Sequence, residues 1–218
     1  MYKAALFDLD GTLADTFGDI FNAANTLMKK KGYPLKTKEE ILSAISFGRR
    51  EFVERILPQG TDECTVRQAL EEYTQYYGVH FMDTTRPYDG IIALVQTLRQ
   101  MGFRTAVVTN KAHPNAVKMI SHVFPADLFD GVWGLDRFPP KPNPSIAHAA
   151  AQALGVSPEE CFFIGDSELD ILTAQNAGMT PVGVSWGYRS EDILKDAGAT
   201  LIAHSAKELE AILTGASK

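Results

Sequence analysis

The stretch ALFDLDGTLADT, residues 5–16, decides the fold of this chain. An apolar run at residues 5–7 leads directly into Asp8, and Asp10 follows two residues later. A continuous apolar run that ends in turn residues is typical of a buried strand in a parallel sheet. Two neighbouring acids repel each other, and an acid at the edge of a core has to be neutralised or paired. We therefore expect other parts of the chain to supply groups that compensate these two acids.

Further apolar runs of this kind recur along the chain, with helical patterns between them. The helical patterns end in glycine at Gly102, Gly178 and Gly215, which is the expected residue just past a helix end. Alternating strands and helices predict an α/β fold with a doubly wound parallel sheet. The predicted strands cover residues 3–8, 104–110, 129–134, 161–166, 180–186 and 199–204.

One long segment interrupts this alternation. Residues 9–103 separate the first two predicted strands, and this distance is too long for a single crossover helix. Amphipathic patterns separated by Gly or Pro turns predict helices at residues 19–32, 38–46, 50–57 and 63–78. The simplest interpretation is an all-helical cap domain at residues 15–83, inserted into a core domain of residues 1–14 and 84–218. Residues 79–88 would then form the return linker.

Composition and charge are those of an ordinary globular protein. The chain has 218 residues, 45% of them hydrophobic, and a net charge of −6, which argues against broad binding of nucleic acid or anionic membranes. No run approaches the roughly 20 apolar residues that cross a bilayer, and no signal-peptide pattern is present. Cys64 and Cys161 show no metal-ligand spacing and are expected to be reduced thiols. We expect a cytoplasmic protein, a monomer or weak homodimer, that binds neither nucleic acid nor membranes.

Polar residues gather at the carboxyl ends of the predicted strands, where open parallel sheets bind their ligands. Three acids in one crevice favour a hard cation such as Mg²⁺, which takes oxygen ligands. A hydroxyl, an amide and a lysine are suited to an oxyanion, so the set predicts phosphoryl transfer. The three acids are Asp8, Asp10 and Asp166, with Asp170 four residues further on. The hydroxyl, amide and lysine are those of Thr109, Asn110 and Lys141, where Lys141 lies in the loop before the strand at 161–166; Gly11 and Lys111 also follow strands.

Four motifs in the chain resemble those of the haloacid dehalogenase superfamily of aspartyl phosphotransferases. DLDGTLADT (residues 8–16) is similar to its first motif, D-x-D-G-T-L-x-D-[ST]. VVTN (107–110) resembles the second motif, the lysine of KPNP (141–144) the third, and FIGDSELD (163–170) the fourth. The four occur in the family's order, and together with the helical insert they span essentially the whole chain. The resemblance implies a Rossmann-like core and a hydrolase that acts on phosphoric monoesters.

The resemblance also implies catalytic and metal-binding roles. Asp8 would attack phosphorus and form an aspartyl-phosphate, and its carboxylate would bind Mg²⁺. Asp10 would protonate the departing alkoxide and later take a proton from the hydrolytic water, while its backbone carbonyl would bind the metal. Asp166 would complete the protein ligands of the cation. Asp170 would have a supporting role, in which it orients Lys141 or a water on the metal.

Phosphate-binding roles follow from the same resemblance. Thr109, Asn110 and Lys141 would hold the phosphoryl oxygens and offset their charge in the transition state. Gly11, together with Thr12, would let backbone N–H groups approach the same oxygens.

The position of the insert, between the first and second motifs, resembles the type-one cap of the phosphoglycolate phosphatase-like and β-phosphoglucomutase-like branch. This implies a small, soluble phosphoester as the substrate, over which the cap closes. The segment SFGRRE (46–51) is similar to the specificity segment of that branch. Arg49 or Arg50 could bind a carboxylate or a second phosphate of the substrate, and we favour Arg49.

Some other functions use the same fold or a similar aspartyl-phosphate chemistry. A β-phosphoglucomutase-like phosphomutase and an inorganic pyrophosphatase on the same scaffold remain alternatives. A dehalogenase is disfavoured, because that branch lacks the acid that stands here as Asp10. A response-regulator receiver is disfavoured because it carries its phosphorylated aspartate on a later strand and has no helical cap. A non-catalytic scaffold is disfavoured because every motif acid is present.

Overall fold

The protein consists of two compact units in a computed structural model that describes residues 2–215. One unit contains the chain up to Asp15 and from Pro87 onward, and the other contains Thr16–Arg86. The sequence predicts boundaries after residue 14 and before residue 84, so the observed divisions lie one and three residues further along.

The first unit is built on a six-stranded parallel sheet with the order β5-β4-β1-β6-β7-β8. Each of the six predicted apolar runs forms one of these strands, so the doubly wound α/β fold is confirmed. Two further strands, β2 and β3, have two residues each and lie where the chain passes between the units. The strands are β1 (Ala4–Phe7), β2 (Ala14–Asp15), β3 (Arg86–Pro87), β4 (Arg104–Ala112), β5 (Gly131–Leu135), β6 (Cys161–Gly165), β7 (Thr180–Val184) and β8 (Ile202–Ala203).

The second unit contains four helices in its described residues, at the positions that the amphipathic patterns predict. They are α1 (Phe17–Lys31), α2 (Lys38–Ala44), α3 (Arg49–Ile56) and α4 (Glu63–His80). The return linker is shorter than predicted, because α4 continues through residues 79 and 80. The rings of Tyr76 and His80 stack with centroids 4.4 Å apart, which stabilises this additional turn.

The described residues of the first unit form six more helices. They are α5 (Ile91–Gln100), α6 (His113–Val123), α7 (Ser145–Leu154), α8 (Glu168–Ala177), α9 (Glu191–Asp196) and α10 (Ala206–Thr214). A 3₁₀ turn at Pro158–Glu160 precedes β6. None of the helices in residues 2–215 is long and apolar enough to cross a membrane.

The central strand β1 is buried on both faces. Ala4 and Leu6 join a cluster of buried apolar residues from β4, β6, α7 and α8. Ala5 and Phe7 point to the opposite face, because side chains alternate along a strand, and they are also fully buried. Burial on both faces explains why this strand reads as a continuous apolar run rather than as an alternating one.

Both cysteines are free thiols, as predicted. Cys64 is exposed on α4, whereas Cys161 is buried at the start of β6. Burial raises the pKa of the Cys161 thiol to about 12, so this side chain behaves as a small apolar residue.

A buried carboxylate ties the two ends of the helical unit together. Asp19, in the first turn of α1, is 1% exposed and accepts hydrogen bonds from the backbone N–H and the hydroxyl of both Thr84 and Thr85. A Cβ on Gly18 would lie 2.6 Å from the Thr84 hydroxyl, so glycine is needed for this approach. These bonds explain why residues 84–86 belong to the helical unit and not to the core as predicted.

We expect Asp19→Ala to loosen this junction. The change leaves four donors of Thr84 and Thr85 without their acceptor, and we expect a loss of about 2 kcal/mol in the free energy of local opening. Amide hydrogen exchange at Thr84 and Thr85 should accelerate by roughly 30-fold. Glu39→Ala, which removes an exposed acid from the first turn of α2, is the control. Equal exchange in both variants would contradict the assignment.

Candidate active site

The site lies where the direction of strand addition reverses in the sheet. β4 and β6 flank β1, although β4 precedes β6 by a long stretch of chain. At such a switch point, the loops after neighbouring strands diverge and leave a crevice at the carboxyl edge of the sheet. Asp8 follows β1, Thr109 lies near the end of β4, and Asp166 follows β6. The fold therefore brings together the side chains that the sequence places at strand ends.

Lys141 is the centre of a buried network of charges. Its Nζ lies 3.0 Å from Oδ1 of Asp8, in an ion pair, and donates a hydrogen bond to Oδ1 of Asp170. All three side chains are almost completely buried. Burial by itself would lower the pKa of Lys141, but the carboxylates of Asp170 and Asp8 outweigh it and hold that pKa above its usual value. Lys141 is therefore charged and is positioned against Asp8.

Local structure fixes Asp170 on the other side of Lys141. Asp170 lies in the first turn of α8, and its Oδ2 accepts hydrogen bonds from the backbone N–H and the hydroxyl of Ser167. The Asp170 side chain thus bonds back to the N–H of the residue that precedes α8, as the third residue of a helix does in a capping box. A Cβ on Gly165 would collide with the Asp170 side chain, so only glycine leaves room for it there.

Asp166 is held by the loops that surround it. Its Oδ1 accepts a hydrogen bond of 2.8 Å from the Thr12 hydroxyl, and its Oδ2 accepts one of 2.8 Å from the backbone N–H of Tyr188. Gly11 has a φ of +85°, and a Cβ at this position would collide with the Asp166 carboxylate. The glycine of the first motif thus provides space for the acid of the fourth.

Burial makes ionisation of the clustered acids costly. It raises the pKa of Asp8 to about 7, with further contributions from Asp170 and Asp10 that Lys141 partly offsets. It raises the pKa of Asp166 to about 8, where Asp170 and Asp8 add to the effect. When Asp8, Asp166 and Asp170 are all ionised, the positive charge of Lys141 neutralises one of them and two negative charges remain.

This excess charge fits a divalent cation. Asp8, Asp166 and Asp170 each offer a carboxylate oxygen, and the three oxygens lie within 4.8 Å of one another. Mg²⁺ takes oxygen ligands and retains several waters. Its charge of +2 balances the two negative charges that remain in this cluster. The donor set and the charge of this cluster therefore fit the metal that the sequence predicts.

Asp10 forms a separate ion pair beside this cluster. Its Oδ1 accepts a hydrogen bond of 2.7 Å from Nζ of Lys111, which lies in β4. The Lys111 side chain is 5% exposed and that of Asp10 is 17% exposed. Asp8 and Asp10, the first two acids of the first motif, therefore face different lysines, Asp8 facing Lys141 and Asp10 facing Lys111.

The predicted phosphate-binding residues lie in the site, but part of their hydrogen-bonding capacity is already used. The Asn110 amide oxygen accepts a bond of 2.8 Å from the backbone N–H of Lys141, so this residue orients the Lys141 loop. Thr109 is buried, and its hydroxyl oxygen accepts a bond from the N–H of Lys111. The N–H of Gly11 donates to the carbonyl of Ala14, so a phosphoryl oxygen would have to share that donor.

Arg49 and Arg50 lie at the start of α3 in the helical unit and differ in their surroundings. Arg50 is exposed, and its guanidinium forms ion pairs with Glu54 and Glu63. Arg49 is half-buried and donates a single neutral hydrogen bond of 3.3 Å to the Thr74 hydroxyl. Of these two guanidinium groups, that of Arg49 has no carboxylate partner among the described ion pairs.

Sequence reasoning gave no role to several residues that organise this site. The spacing of Ser167 and Asp170 is a helix-capping signal that was available in the sequence. Lys111 is visible as a strand-end lysine, but its partner is 101 residues away. The backbone N–H of Tyr188 carries no signal in the sequence at all.

Comparisons with known proteins agree with this geometry. The family profile described as haloacid dehalogenase-like hydrolase matches residues 5–184. A phosphoglycolate phosphatase of Thiobacillus denitrificans is 34% identical over 191 residues, which cover 85% of this chain and 84% of the relative.

Two solved structures extend the comparison. A crystal structure from Lactobacillus delbrueckii subsp. bulgaricus, provisionally described as a phosphoglycolate phosphatase, has a TM-score of 0.92, 33% identity, and coverage of 97% of this chain and 98% of that chain. A β-phosphoglucomutase of Clostridium difficile has a TM-score of 0.79 and 25% identity, and the match covers 99% of this chain and 96% of that chain. With its motif residues gathered at one edge of the sheet, the chain belongs to the haloacid dehalogenase-like hydrolase family and is a hydrolase of the phosphatase type.

Proposed function

We propose that the protein is a Mg²⁺-dependent phosphatase that hydrolyses a small phosphate monoester with a second acidic group, such as phosphoglycolate, through an aspartyl-phosphate on Asp8. The observation that carries this proposal is the position of Lys141, 3.0 Å from Asp8 in a cluster of three buried carboxylates. A nucleophilic carboxylate next to a fixed cation is suited to attack on a dianionic phosphate. The names of the relatives that cover most of the chain support this substrate class.

In the first half-reaction, a carboxylate oxygen of Asp8 attacks phosphorus while the bond to the leaving oxygen breaks. Lys141 holds a phosphoryl oxygen and offsets charge in the transition state, and the Thr109 hydroxyl donates to a second one. Asn110 contributes through its bond to the Lys141 backbone, which fixes the loop that carries the lysine. The three residues around Asp8 thus bind and orient the phosphoryl group.

Asp10 moves the proton in both half-reactions. Its carboxyl group donates a proton to the leaving alkoxide as the P–O bond breaks, and the resulting carboxylate accepts a proton from the water that attacks the aspartyl-phosphate. Hydrolysis then returns Asp8 to its carboxylate form and releases inorganic phosphate.

The residues that would hold Mg²⁺ are Asp8, Asp166 and the backbone carbonyl of Asp10, with Asp170 in a supporting role. When bound, the cation supplies charge that offsets the repulsion between the nucleophilic carboxylate and the phosphate. Thr12 and Tyr188 orient the Asp166 carboxylate for this purpose, and Ser167 and Lys141 orient that of Asp170.

A phosphomutase is the second candidate, and its support is the similarity to the β-phosphoglucomutase of Clostridium difficile. The same Asp8 and Asp10 would serve it, but the phosphoryl group would pass to a second substrate hydroxyl instead of to water. Release of the leaving group in one burst without continued release of phosphate would favour this candidate.

Asp8→Asn should abolish phosphate release. The amide is neither a nucleophile nor a charged metal ligand, so kcat should fall by at least about 10⁴-fold. The measurement is Mg²⁺-dependent phosphate release from a panel of small phosphoesters and pyrophosphate. Asp89→Asn, at an exposed acid of the core unit, is the control. The proposal fails if the wild type hydrolyses no member of the panel or if Asp8→Asn matches it.

Arg49→Ala should weaken binding of the acidic substrate selectively. Loss of a charge-assisted contact should raise KM for phosphoglycolate by roughly 10- to 100-fold and leave KM for an aryl phosphate nearly unchanged. Arg50→Ala is the matched control, because Arg50 is committed to Glu54 and Glu63. Equal changes in KM for both substrates would contradict the proposed role of Arg49 in substrate specificity.

Binding of Mg²⁺ should strengthen as pH rises from about 6 to about 8. In the unfolded chain Asp8 and Asp166 have their ordinary pKa of 3.8, so both have released their protons in this pH range. In the folded site the pKa is raised to about 7 for Asp8 and to about 8 for Asp166, so the protons are retained to a higher pH. Without a bound cation, the folded state therefore holds more protons than the unfolded state. The free energy of unfolding then falls as pH rises toward the raised pKa values of the two acids. A cation requires ionised carboxylates and displaces these protons.

The thermal shift on addition of saturating Mg²⁺ tests this expectation. The increase in Tm should be larger at about pH 8 than at about pH 6, and it should be lost in Asp166→Asn. An equal increase at the two pH values would contradict the coupling between metal and protons.

A further inference from the structure

Lys111 lies outside the four motifs, directly after the second, and forms an ion pair with Asp10 of the first motif. Nζ of Lys111 lies 2.7 Å from Oδ1 of Asp10, and 5% of the lysine side chain is exposed. We infer that Lys111 is a positioning residue, which holds the Asp10 carboxyl group in the orientation needed for proton transfer to the leaving group. The inference rests on the proposed function, in which Asp10 is the proton carrier.

Lys111 is a buried cation. Removing an ammonium group from water is costly, and such a group is retained in an interior when it forms good ionic and hydrogen-bonding contacts. An apolar side chain would fill the same space beside the sheet at lower cost. The contact that Lys111 makes with a motif acid at 2.7 Å indicates that its charge acts on that acid.

Hydrogen bonds fix the residues at the carboxyl end of β4. The backbone N–H of Lys111 donates to the Thr109 hydroxyl, and the neighbouring Asn110 accepts from the backbone of Lys141. Phe7, the last residue of β1, lies opposite Val107 of β4, so Asp10 and Lys111 follow this pair by three and four residues. Lys111 is therefore anchored to the sheet next to the segment that carries Asp10.

Asp8 and Asp10 have separate cationic partners. Lys111 binds Asp10, whereas Lys141 binds Asp8, so proton transfer and nucleophilic attack have separate supporting cations. Asp10 is the more exposed of the two acids, with 17% of its side chain exposed against 11% for Asp8, as expected for a group that meets the leaving oxygen and then water. In each step the proton passes between Asp10 and an oxygen of the substrate or of water, and Lys111 keeps its own protons.

The test compares leaving groups in the first half-reaction. An alkoxide needs a proton as it departs, whereas an aryl oxide such as p-nitrophenolate departs without one. With saturating substrate in a single turnover, Lys111→Met should slow formation of the aspartyl-phosphate from an alkyl phosphate roughly 10- to 100-fold. Formation from p-nitrophenyl phosphate should slow by less than about threefold. Lys111→Arg, which keeps the charge, should restore part of the rate with the alkyl phosphate.

Two reference variants complete the experiment. Asp10→Asn should show the same dependence on leaving group, in a stronger form, and Lys207→Met, at an exposed lysine of α10, should match the wild type. Equal slowing of Lys111→Met with both substrates would reduce Lys111 to a structural role and overturn the inference. A rise in KM confined to acidic substrates, with an unchanged rate of phosphorylation, would also overturn it, because Lys111 would then bind substrate directly. If Asp10→Asn itself shows no dependence on leaving group, the proposed role of Asp10 fails, and this inference fails with it.

Discussion

The ammonium group of Lys141 lies between the carboxylates of Asp8 and Asp170, out of contact with bulk water, and the rest of the site is arranged around it. Asp8, Asp166 and Asp170 are buried together with one lysine, so two negative charges are uncompensated when all three acids are ionised. Because burial makes this ionisation costly, it raises the pKa of Asp8 and Asp166. Such a cluster costs stability unless each group is fixed by further bonds. Ser167 provides these bonds for Asp170, and Thr12 and Tyr188 provide them for Asp166.

The sheet makes this arrangement achievable because β1 lies between β4 and β6. Residues far apart in the chain then meet at one edge without long loops, since each follows the carboxyl end of a neighbouring strand. Glycines are needed at two of these junctions, Gly11 and Gly165, where a Cβ would occupy the place of an acid. Asp8 and Asp10 also have separate cationic partners at this edge, with Lys141 against Asp8 and Lys111 against Asp10.

The helical unit is inserted into the core at a single place in the chain. Its two ends are joined by Asp19, which accepts four hydrogen bonds from Thr84 and Thr85. These bonds hold residues 84 and 85 to the helical unit, which extends to Arg86, whereas the sequence predicts that the core resumes at residue 84. Amphipathic periodicity marks helices, whereas a buried carboxylate that binds a linker 65 residues away leaves no periodic pattern.

The sequence by itself determined the six strands, the four inserted helices and the residues at the strand ends, because apolar runs, helical periodicity and motif order are local properties of the chain. It also located Asp8, Asp10, Lys141, Asp166 and Asp170. The tertiary structure alone decided how these residues pair. The contact of Lys111 with Asp10 spans 101 residues, and the Asn110 side chain binds the backbone of Lys141 rather than only facing the crevice. The donor from Tyr188 is a backbone N–H, a group that every residue except proline carries, so only the path of the loop after β7 could bring it to Asp166.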